Sequence, residues 1–365
     1  MTRVVLAGGG TGGHLMPALA LAQALRDARP DVEPVLVGAQ RGVDPTILPH
    51  RPFRHYLLPV EPIYRRAWWR NARWPFLVPR LWRACQRVLD AEQPALVVGT
   101  GGYAAGPILL AARLRGLPIA LQEQDAQPGI TTRWLSRWAR QVHLGFPEAA
   151  GRLRVGRQTA VYALGSPIVP PAGRDRAEAR AALGIPRDRA VAFVTGGSQG
   201  SRTINRAVAE AVDAGLLGEV ALLWSTGAST FDTFRAYHRP PAVQVRAFWD
   251  PIADAYAASD LVVARAGAMT LAELAAWGLP GVLVPLPSAA SDHQSANARA
   301  LAAAGAAVHL PEAHLTSATL ANAVERLFRD PAGLAGMAAA ARRRGRPDAA
   351  RGIADHLLTL VPGPR

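Results

Sequence analysis

Close to the start of the chain a histidine ends a run of glycines broken only by a threonine: Gly8-Gly9-Gly10-Thr11-Gly12-Gly13-His14. An apolar run, Val4-Val5-Leu6-Ala7, leads in, and a helical pattern from Leu15 to Leu25 leads out. Strand, glycine turn and helix together aim backbone N–H groups and a positive helix end at an anion, usually phosphate. His14 is the first titratable side chain at the mouth of this loop, and histidine titrates close to neutral pH, where proton transfer is most useful. Gly8, Gly10 and Gly13 also satisfy the dinucleotide spacing G-x-G-x-x-G. Comparable loops follow two later apolar runs: Gly99-Thr100-Gly101-Gly102-Tyr103, and Gly196-Gly197-Ser198-Gln199-Gly200-Ser201. One such loop alone is an ordinary tight turn. Two in one half of the chain and one in the other point to two phosphorylated ligands, hence to group transfer between a nucleotide donor and a phosphorylated acceptor.

A nicotinamide enzyme would need an acid at the end of the second strand for the adenosine ribose. That strand ends Gly38-Ala39-Gln40, and the nearest acid is Asp44. A better ribose acid stands in the second half, where Ala264-Arg265-Ala266-Gly267-Ala268-Met269-Thr270 joins a strand to a helix and Glu273 follows in the expected first turn. The alternative role for Glu273 there is simple stabilisation of the helix dipole.

These loops need a scaffold of buried strands separated by helices. The apolar runs predict strands at 3–7, 34–38, 95–99, 119–122 and 142–144, with helices at 15–28, 107–115 and 131–140. The plan repeats with strands at 190–195, 221–225, 243–247, 261–263 and 282–284, and helices at 201–214, 251–258, 270–276 and 295–304. Alternation of this kind means parallel sheets covered on both faces, with ligands at the carboxyl ends of the strands. The 365 residues suit two domains. The junction falls near Leu164-Gly165-Ser166-Pro167, and an alanine-rich helical tail from about Thr316 is expected to pack back across the first domain.

All 41 basic residues are arginine, and the net charge of +14 is uneven. Residues 1–165 carry 21 arginines against 10 acids, and residues 166–365 carry 20 against 17. A basic first half fits an acidic partner. The single cysteine, Cys85, allows no internal disulfide and suits a reducing cytoplasm; no signal peptide and no membrane-spanning run is read. From Tyr64 to Val88, Arg65, Arg66, Arg70, Arg73, Arg80 and Arg83 interleave with Trp68, Trp69, Trp74, Phe76 and Trp82. One reading is a core-facing helix with a solvated arginine face, since Leu77, Val78, Leu81, Trp82, Cys85, Val88 and Leu89 recur at helical spacing. The other is an interfacial patch, with aromatics at headgroup depth and arginines on anionic phosphates, for which the residues are Trp68, Trp69, Arg70, Arg73, Trp74, Arg80 and Trp82. No nucleic-acid module is recognised, so nucleic acid is not an expected partner.

The three loops, Glu123-Gln124, the segment from Arg265 to Glu273, and Asp292-His293-Gln294 with Asn297 resemble, in this order, the MurG family of peptidoglycan glycosyltransferases over nearly the whole chain. The resemblance implies an α/β fold of the GT-B type, two doubly wound Rossmann-like domains facing across a cleft. Its parts would be an acceptor- and membrane-binding domain at 1–164, a donor domain at 165–345 and a C-terminal helix at 346–365 packing toward the first domain. It implies inverting transfer of N-acetylglucosamine from UDP-N-acetylglucosamine to lipid I, the undecaprenyl-diphosphate-linked N-acetylmuramoyl-peptide. The product would be lipid II, made peripherally at the cytoplasmic face of the plasma membrane, and cell-wall synthesis proteins would be partners.

Residue roles carry over where the residues match. Gly10, Thr11, Gly12, Gly13, Gly102 and Tyr103 would hold the acceptor diphosphate or lie near the sugars, Thr11 to Gly13 on the donor's side. Ser198 and the amides of Ala268, Met269 and Thr270, with Leu271 and Ala272 behind them, would hold the donor phosphates. Trp249 would offer backbone groups to uracil, Glu273 would bind ribose, and Gln294, with His293 beside it, would hold the transferred sugar. The catalytic candidates are His14 as general base and Glu123 on the acceptor side. Asp125 would be a further donor contact, although the chain departs from the family there, where the family has Asn, and at Ser166-Pro167-Ile168-Val169, where it has Asn-Pro-x-Arg. No Asp-x-Asp pair accompanies the diphosphate loops, so no metal or other cofactor is expected, helix N-termini carrying that charge instead. A UDP-N-acetylglucosamine 2-epimerase and a non-catalytic UDP-sugar or lipid binder are the alternative readings; the arginine–tryptophan patch favours the transferase over the epimerase.

Overall fold

The structure, a computed structural model, describes residues 1–62, 68–171, 173–197 and 199–363, without the side chains of Trp68, Arg70 and Asn71. It divides into two compact units, one of residues 1–169 with 348–365 and one of residues 170–347.

The first unit runs β1 (Thr2–Gly9), α1 (Gly12–Ala28), β2 (Val32–Ala39), α2 (Asp44–Ile47), β3 (Arg54–Leu58), α3 (Trp74–Glu92), β4 (Leu96–Gly101), α4 (Gly102–Leu114), β5 (Ile119–Glu123), α5 (Ile130–Leu135), β6 (Gln141–Leu144) and β7 (Ala160–Tyr162). Its seven strands are parallel, in the order β3-β2-β1-β4-β5-β6-β7. β1 has no exposed residue because neighbouring strands flank it and helices cover both faces. One face packs on α3, α4 and α5 through Cys85, Val88, Ile108 and Leu135, the other on α1 through Leu15, Leu21 and Leu25.

The second unit runs α6 (Arg176–Ala182), β8 (Val191–Thr195), α7 (Arg202–Asp213), β9 (Ala221–Ser225), α8 (Phe231–Phe234), β10 (Val243–Arg246), α9 (Ile252–Ala258), β11 (Leu261–Ala264), α10 (Ala268–Trp277), β12 (Gly281–Leu283), α11 (His293–Ala303), β13 (Ala307–His309), α12 (Ser317–Arg329) and α13 (Pro331–Arg344). Its six parallel strands are ordered β10-β9-β8-β11-β12-β13. A last helix, α14 (Ala349–Leu358), belongs to the first unit, where Ile353, Ala354 and Leu357 join the α1 core.

Each unit is therefore doubly wound, as the alternation of strands and helices predicts. The boundary lies at 169/170 rather than 164/165, because Gly165 still donates its N–H to the Leu144 carbonyl at the end of β6. Of the helical tail, only α14 returns to the first unit; α12 and α13 stay with the second. In both sheets the strand order reverses beside the first strand of the unit, between β1 and β4 and between β8 and β11. Loops leaving such neighbours part to opposite faces and open a crevice at the carboxyl ends. The glycine loops stand at these two places.

Candidate active site

In the first unit, the β1–α1 loop and the β4–α4 loop meet at His14. Its Nδ1 lies 3.2 Å from the Thr100 carbonyl oxygen. A carbonyl only accepts, so in the neutral ring Nδ1 carries the proton and Nε2 presents its lone pair. The Thr100 hydroxyl donates back to the His14 carbonyl at 2.8 Å. Gly101 sits at φ +93°, and a Cβ there would come within 2.7 Å of His14 Nδ1, so only glycine lets the second loop lie along the ring. The helix α1 starts at Gly12 without a side-chain cap, and its first bonded amides are His14 and Leu15, both to the Thr11 carbonyl. Among the described residues the amides of Gly12 and Gly13 thus have no backbone partner, and they can meet an anion or a sugar oxygen.

Gly10 takes a different part from the one expected of it. Its N–H donates to Asp44 Oδ2 at 2.8 Å, and the same oxygen accepts from Ala39 N–H at 2.7 Å. The Gly10 amide is therefore not open to an acceptor. Asp44 is fully buried. Burial pushes its carboxyl above the usual range, opposed by the two N–H groups and, when its ring is protonated, by His14. A Cβ on Gly9 would lie 2.0 Å from Oδ2 and one on Gly10 would enter the Tyr103 ring, so the glycines make room for both. Tyr103 donates its hydroxyl to the Arg41 carbonyl at 3.3 Å, closing the rim. Sequence reading met Asp44 only as an ill-placed ribose acid and missed this clasp.

Glu123, at the end of β5, is buried, and its two oxygens face its own loop. Oε1 accepts from Asp125 N–H at 3.2 Å and Oε2 from Gly129 N–H at 3.0 Å. Burial, reinforced by the Asp125 charge, pushes its carboxyl up to about 7. The next residue, Gln124, donates its amide to the same Thr100 carbonyl that holds His14, at 2.6 Å. The Glu-Gln pair thus secures the loop ahead of α5 and the carbonyl that orients the histidine.

In the second unit, the β11–α10 turn presents an uncapped helix end. Gly267 precedes α10 without a side-chain hydrogen bond, and Leu271 N–H already bonds to the Gly267 carbonyl at 3.0 Å. Among the described residues the amides of Ala268, Met269 and Thr270 have no backbone partner and can donate to an anion, whereas Leu271 and Ala272 lie beyond that open turn. Because α10 starts at Ala268, Glu273 lies in its second turn, not the first, where the helix dipole has faded. Glu273 Oε2 accepts from the Tyr256 hydroxyl at 2.8 Å, and burial pushes its carboxyl above the usual range. At the third loop, Ser201 caps α7 by accepting from Ile204 N–H, and it also accepts from Arg265 Nη2 at 2.7 Å. Arg265 is buried, donates to the Val284 and Pro285 carbonyls and pairs with Glu312. Its guanidinium ties the third loop to the α10 turn, a link that sequence spacing does not reveal. Ser198 lies outside the described residues.

Gln294 Oε1 accepts from Leu286 N–H at 3.0 Å, which turns its NH₂ donors away from that contact. His293 Nδ1 bonds the Ala290 carbonyl at 2.7 Å, and Asn297 donates to the Ala266 carbonyl at 3.2 Å. Ser291 and Asp292 just before α11 hold φ of 56° and 55°, a strained conformation of the kind that accumulates at ligand sites. The Trp249 side chain is core: buried, edge-on to Phe193, with the Arg246 guanidinium 4.1 Å from its ring centroid. With the ring buried, any ligand contact at this residue would fall to its main chain.

The arginine–tryptophan stretch is divided between core and surface. Leu81, Cys85, Val88 and Leu89 of α3 are core, while Val78 and Trp82, read as part of that stripe, face outward with Phe76. Trp69 is 62% and Phe76 83% exposed, and Arg73 and Arg80 are exposed beside the half-buried Trp74. Residues 63–67 and the side chains of Trp68 and Arg70 lie outside the description. α4 and α5 also expose apolar side chains, Leu110, Leu114, Ile130 and Trp134, the last 63% exposed, with Trp138 just beyond. Trp134 and Trp138 escaped the sequence reading. Among the described residues no helix is long and apolar enough to cross a membrane, and no group of three His, Cys, Asp or Glu is placed to hold a metal ion.

Residues 4–144 match the glycosyltransferase family 28 N-terminal domain and residues 191–353 its C-terminal domain. A UDP-N-acetylglucosamine–N-acetylmuramyl-(pentapeptide) pyrophosphoryl-undecaprenol N-acetylglucosamine transferase of Salinibacter ruber is 41% identical over 98% of this chain and 96% of its own. One of Moorella thermoacetica is 40% identical over 98% and 99%. The crystal structure of Acinetobacter baumannii MurG aligns with a TM-score of 0.77 at 26% identity, covering 98% of this chain and all of that one. With full-length likeness in sequence and fold, the chain belongs to glycosyltransferase family 28, in its MurG branch, and is a UDP-sugar glycosyltransferase of the GT-B fold.

Proposed function

We propose that this glycosyltransferase transfers N-acetylglucosamine from UDP-N-acetylglucosamine to lipid I, with inversion, giving lipid II at the cytoplasmic face of the membrane. Family membership supplies the substrates. The observation that carries the chemistry is the 3.2 Å contact of His14 Nδ1 with the Thr100 carbonyl oxygen, from which the tautomer of the neutral ring follows. Thr100 holds Nδ1–H, so Nε2 is the basic nitrogen at the mouth of the glycine loops. As the acceptor oxygen attacks the anomeric carbon, Nε2 takes the hydroxyl proton. The bond from that carbon to the diphosphate breaks, and its electron pair leaves with UDP. Glu123 is the weaker candidate for this base, because both its oxygens accept from backbone N–H groups of its own loop.

The open amides at Ala268, Met269 and Thr270 receive the charge that develops on the leaving diphosphate. Glu273 accepts from the ribose, the Trp249 main chain reads uracil, and Gln294 donates to the transferred sugar. The amides of Gly12 and Gly13 approach the sugars and the acceptor diphosphate. No metal is required in this scheme. Anionic lipid is met by the surface of Trp69, Phe76, Trp82, Trp134 and Trp138, with Arg73 and Arg80 beside it.

The test is UDP release from UDP-N-acetylglucosamine with and without a lipid I analogue, in buffer containing EDTA. Release that depends on the acceptor and persists in EDTA is expected. Release that ignores the acceptor would refute the transfer, and activity abolished by EDTA and restored by magnesium would refute the metal-free scheme.

A further inference from the structure

Tyr256 lies on α9, not on any of the loops that carry the proposed ligand contacts, yet its hydroxyl reaches Glu273 Oε2 at 2.8 Å. Its ring is buried and held from two sides, by Phe193 of β8 at 5.8 Å between centroids and by Trp277 at the end of α10 at 6.0 Å. A tyrosine so packed has no rotamer freedom left to lose, and its O–H points at one place. Glutamate has three rotatable bonds, and on a half-buried helix face nothing else in the described residues fixes its carboxylate. With Oε2 engaged by Tyr256, Oε1 keeps its acceptor lone pairs for a ligand.

We propose that Tyr256 is a positioning residue for the nucleoside of the donor: it orients Glu273 so that the free carboxylate oxygen accepts from a ribose hydroxyl, and so sets the preference for ribonucleotide over deoxyribonucleotide donors. This rests on the reading of Glu273 as the ribose acid. Discrimination follows from unmade bonds. A site built to accept from a hydroxyl leaves a half-buried carboxylate unpaired when that hydroxyl is missing, which penalises the analogue more than simple loss of contact. Without the Tyr256 hydroxyl the carboxylate samples other rotamers, and that penalty shrinks.

The experiment compares UDP-N-acetylglucosamine with its 2′-deoxyuridine and 3′-deoxyuridine counterparts in the wild type, Tyr256→Phe, Glu273→Ala and the double variant. Phenylalanine keeps the ring contacts with Phe193 and Trp277, and an unchanged unfolding midpoint checks that the fold is kept. For Tyr256→Phe, KM for UDP-N-acetylglucosamine should rise about tenfold with kcat within about twofold, a hydrogen bond to a charged group being worth roughly that factor or more. The ribose-over-deoxyribose preference in kcat/KM, for at least one of the two analogues, should fall by a similar factor. The double variant should be no worse than Glu273→Ala, since Tyr256 acts through Glu273. A preference that collapses in Glu273→Ala but stays at the wild-type level in Tyr256→Phe would overturn the positioning role alone. A preference untouched by Glu273→Ala would overturn the ribose reading and the proposal with it.

Discussion

Replacing Asp44 should test whether the first glycine loop is held from behind. Its one oxygen Oδ2 accepts from Gly10 N–H at 2.8 Å and from Ala39 N–H at 2.7 Å, joining the ligand loop to the end of β2. Asp44→Ala takes the acceptor from the buried Ala39 N–H and from the half-buried Gly10 N–H. Each unsatisfied group costs about 1–3 kcal/mol, so the first unit should lose about 4 kcal/mol, a large part of a typical domain's stability. Asp44→Asn retains an oxygen for both donors but not the charge that strengthens them, and about 1–2 kcal/mol should go. His14 stands four residues beyond Gly10, in the first turn of the helix that this loop leads into. A displacement of about 1 Å there is expected to lower kcat by about a hundredfold in the alanine variant. Binding of UDP alone should change little, because the proposed nucleotide contacts of Ala268 to Thr270 and Glu273 lie in the other unit. Urea unfolding gives the stability, and hydrogen exchange at the Gly10 and Ala39 amides reports the clasp itself. If Asp44→Ala loses under 1 kcal/mol and these two amides exchange as slowly as in the wild type, the clasp does not hold the loop.

Three further outcomes are expected. His14→Ala should lower kcat by about 10²–10⁴-fold, and His14→Gln, which hydrogen-bonds but is no base, should be nearly as poor; a Gln variant with most of the wild-type rate where chemistry limits turnover would remove His14 as the base. The Glu123 carboxyl titrates at about 7 in the fold against the ordinary 4.5, so between these values the folded chain keeps a proton that the unfolded chain has lost. Its contribution to stability is complete below pH 4.5 and is lost as pH rises through 7, so the wild type should weaken relative to Glu123→Gln by about 3 kcal/mol across that window; equal pH profiles in urea unfolding would contradict this. Replacing the exposed Trp82 and Trp134 with serine should weaken binding to phosphatidylglycerol vesicles while leaving KM for UDP-N-acetylglucosamine unchanged, and wild-type binding should weaken in high salt because each arginine near the surface is worth roughly 1 kcal/mol; binding that survives the substitutions places the membrane contact elsewhere.

What the sequence discloses and what it conceals divide along a physical line. Central strands such as β1, β4 and β8 are buried on both faces, so each must be a continuous apolar run, and such runs are legible one residue at a time. The three strands that sequence reading misses, β3, β7 and β13, are all sheet edges. Arg54-His55-Tyr56-Leu57-Leu58 begins exposed and Ala160-Val161-Tyr162 is nowhere fully buried, so neither carries that signal. The glycine loops are legible because a positive φ and a close approach leave little choice of residue: Gly101 and Gly102 have φ of 93° and 75°. The supports of the site have no local signature. Asp44 meets Gly10 from 34 residues away, Tyr256 meets Glu273 from 17, and Arg265 meets Ser201 from 64. Each is a polar side chain of ordinary type whose meaning depends on a partner brought in by the sheet. His14 shows the division within one residue. Its type and its place after the glycines announce proton chemistry, but which nitrogen is basic is decided by the carbonyl of Thr100, 86 residues on, across the β1–β4 crevice. A histidine at the same position with Nδ1 facing a donor would present a protonated Nε2 and could not take a proton from an alcohol. The fold at the switch point therefore supplies the tautomer as well as the location, and glycine at 101 is needed as much for the ring beside it as for the turn it makes.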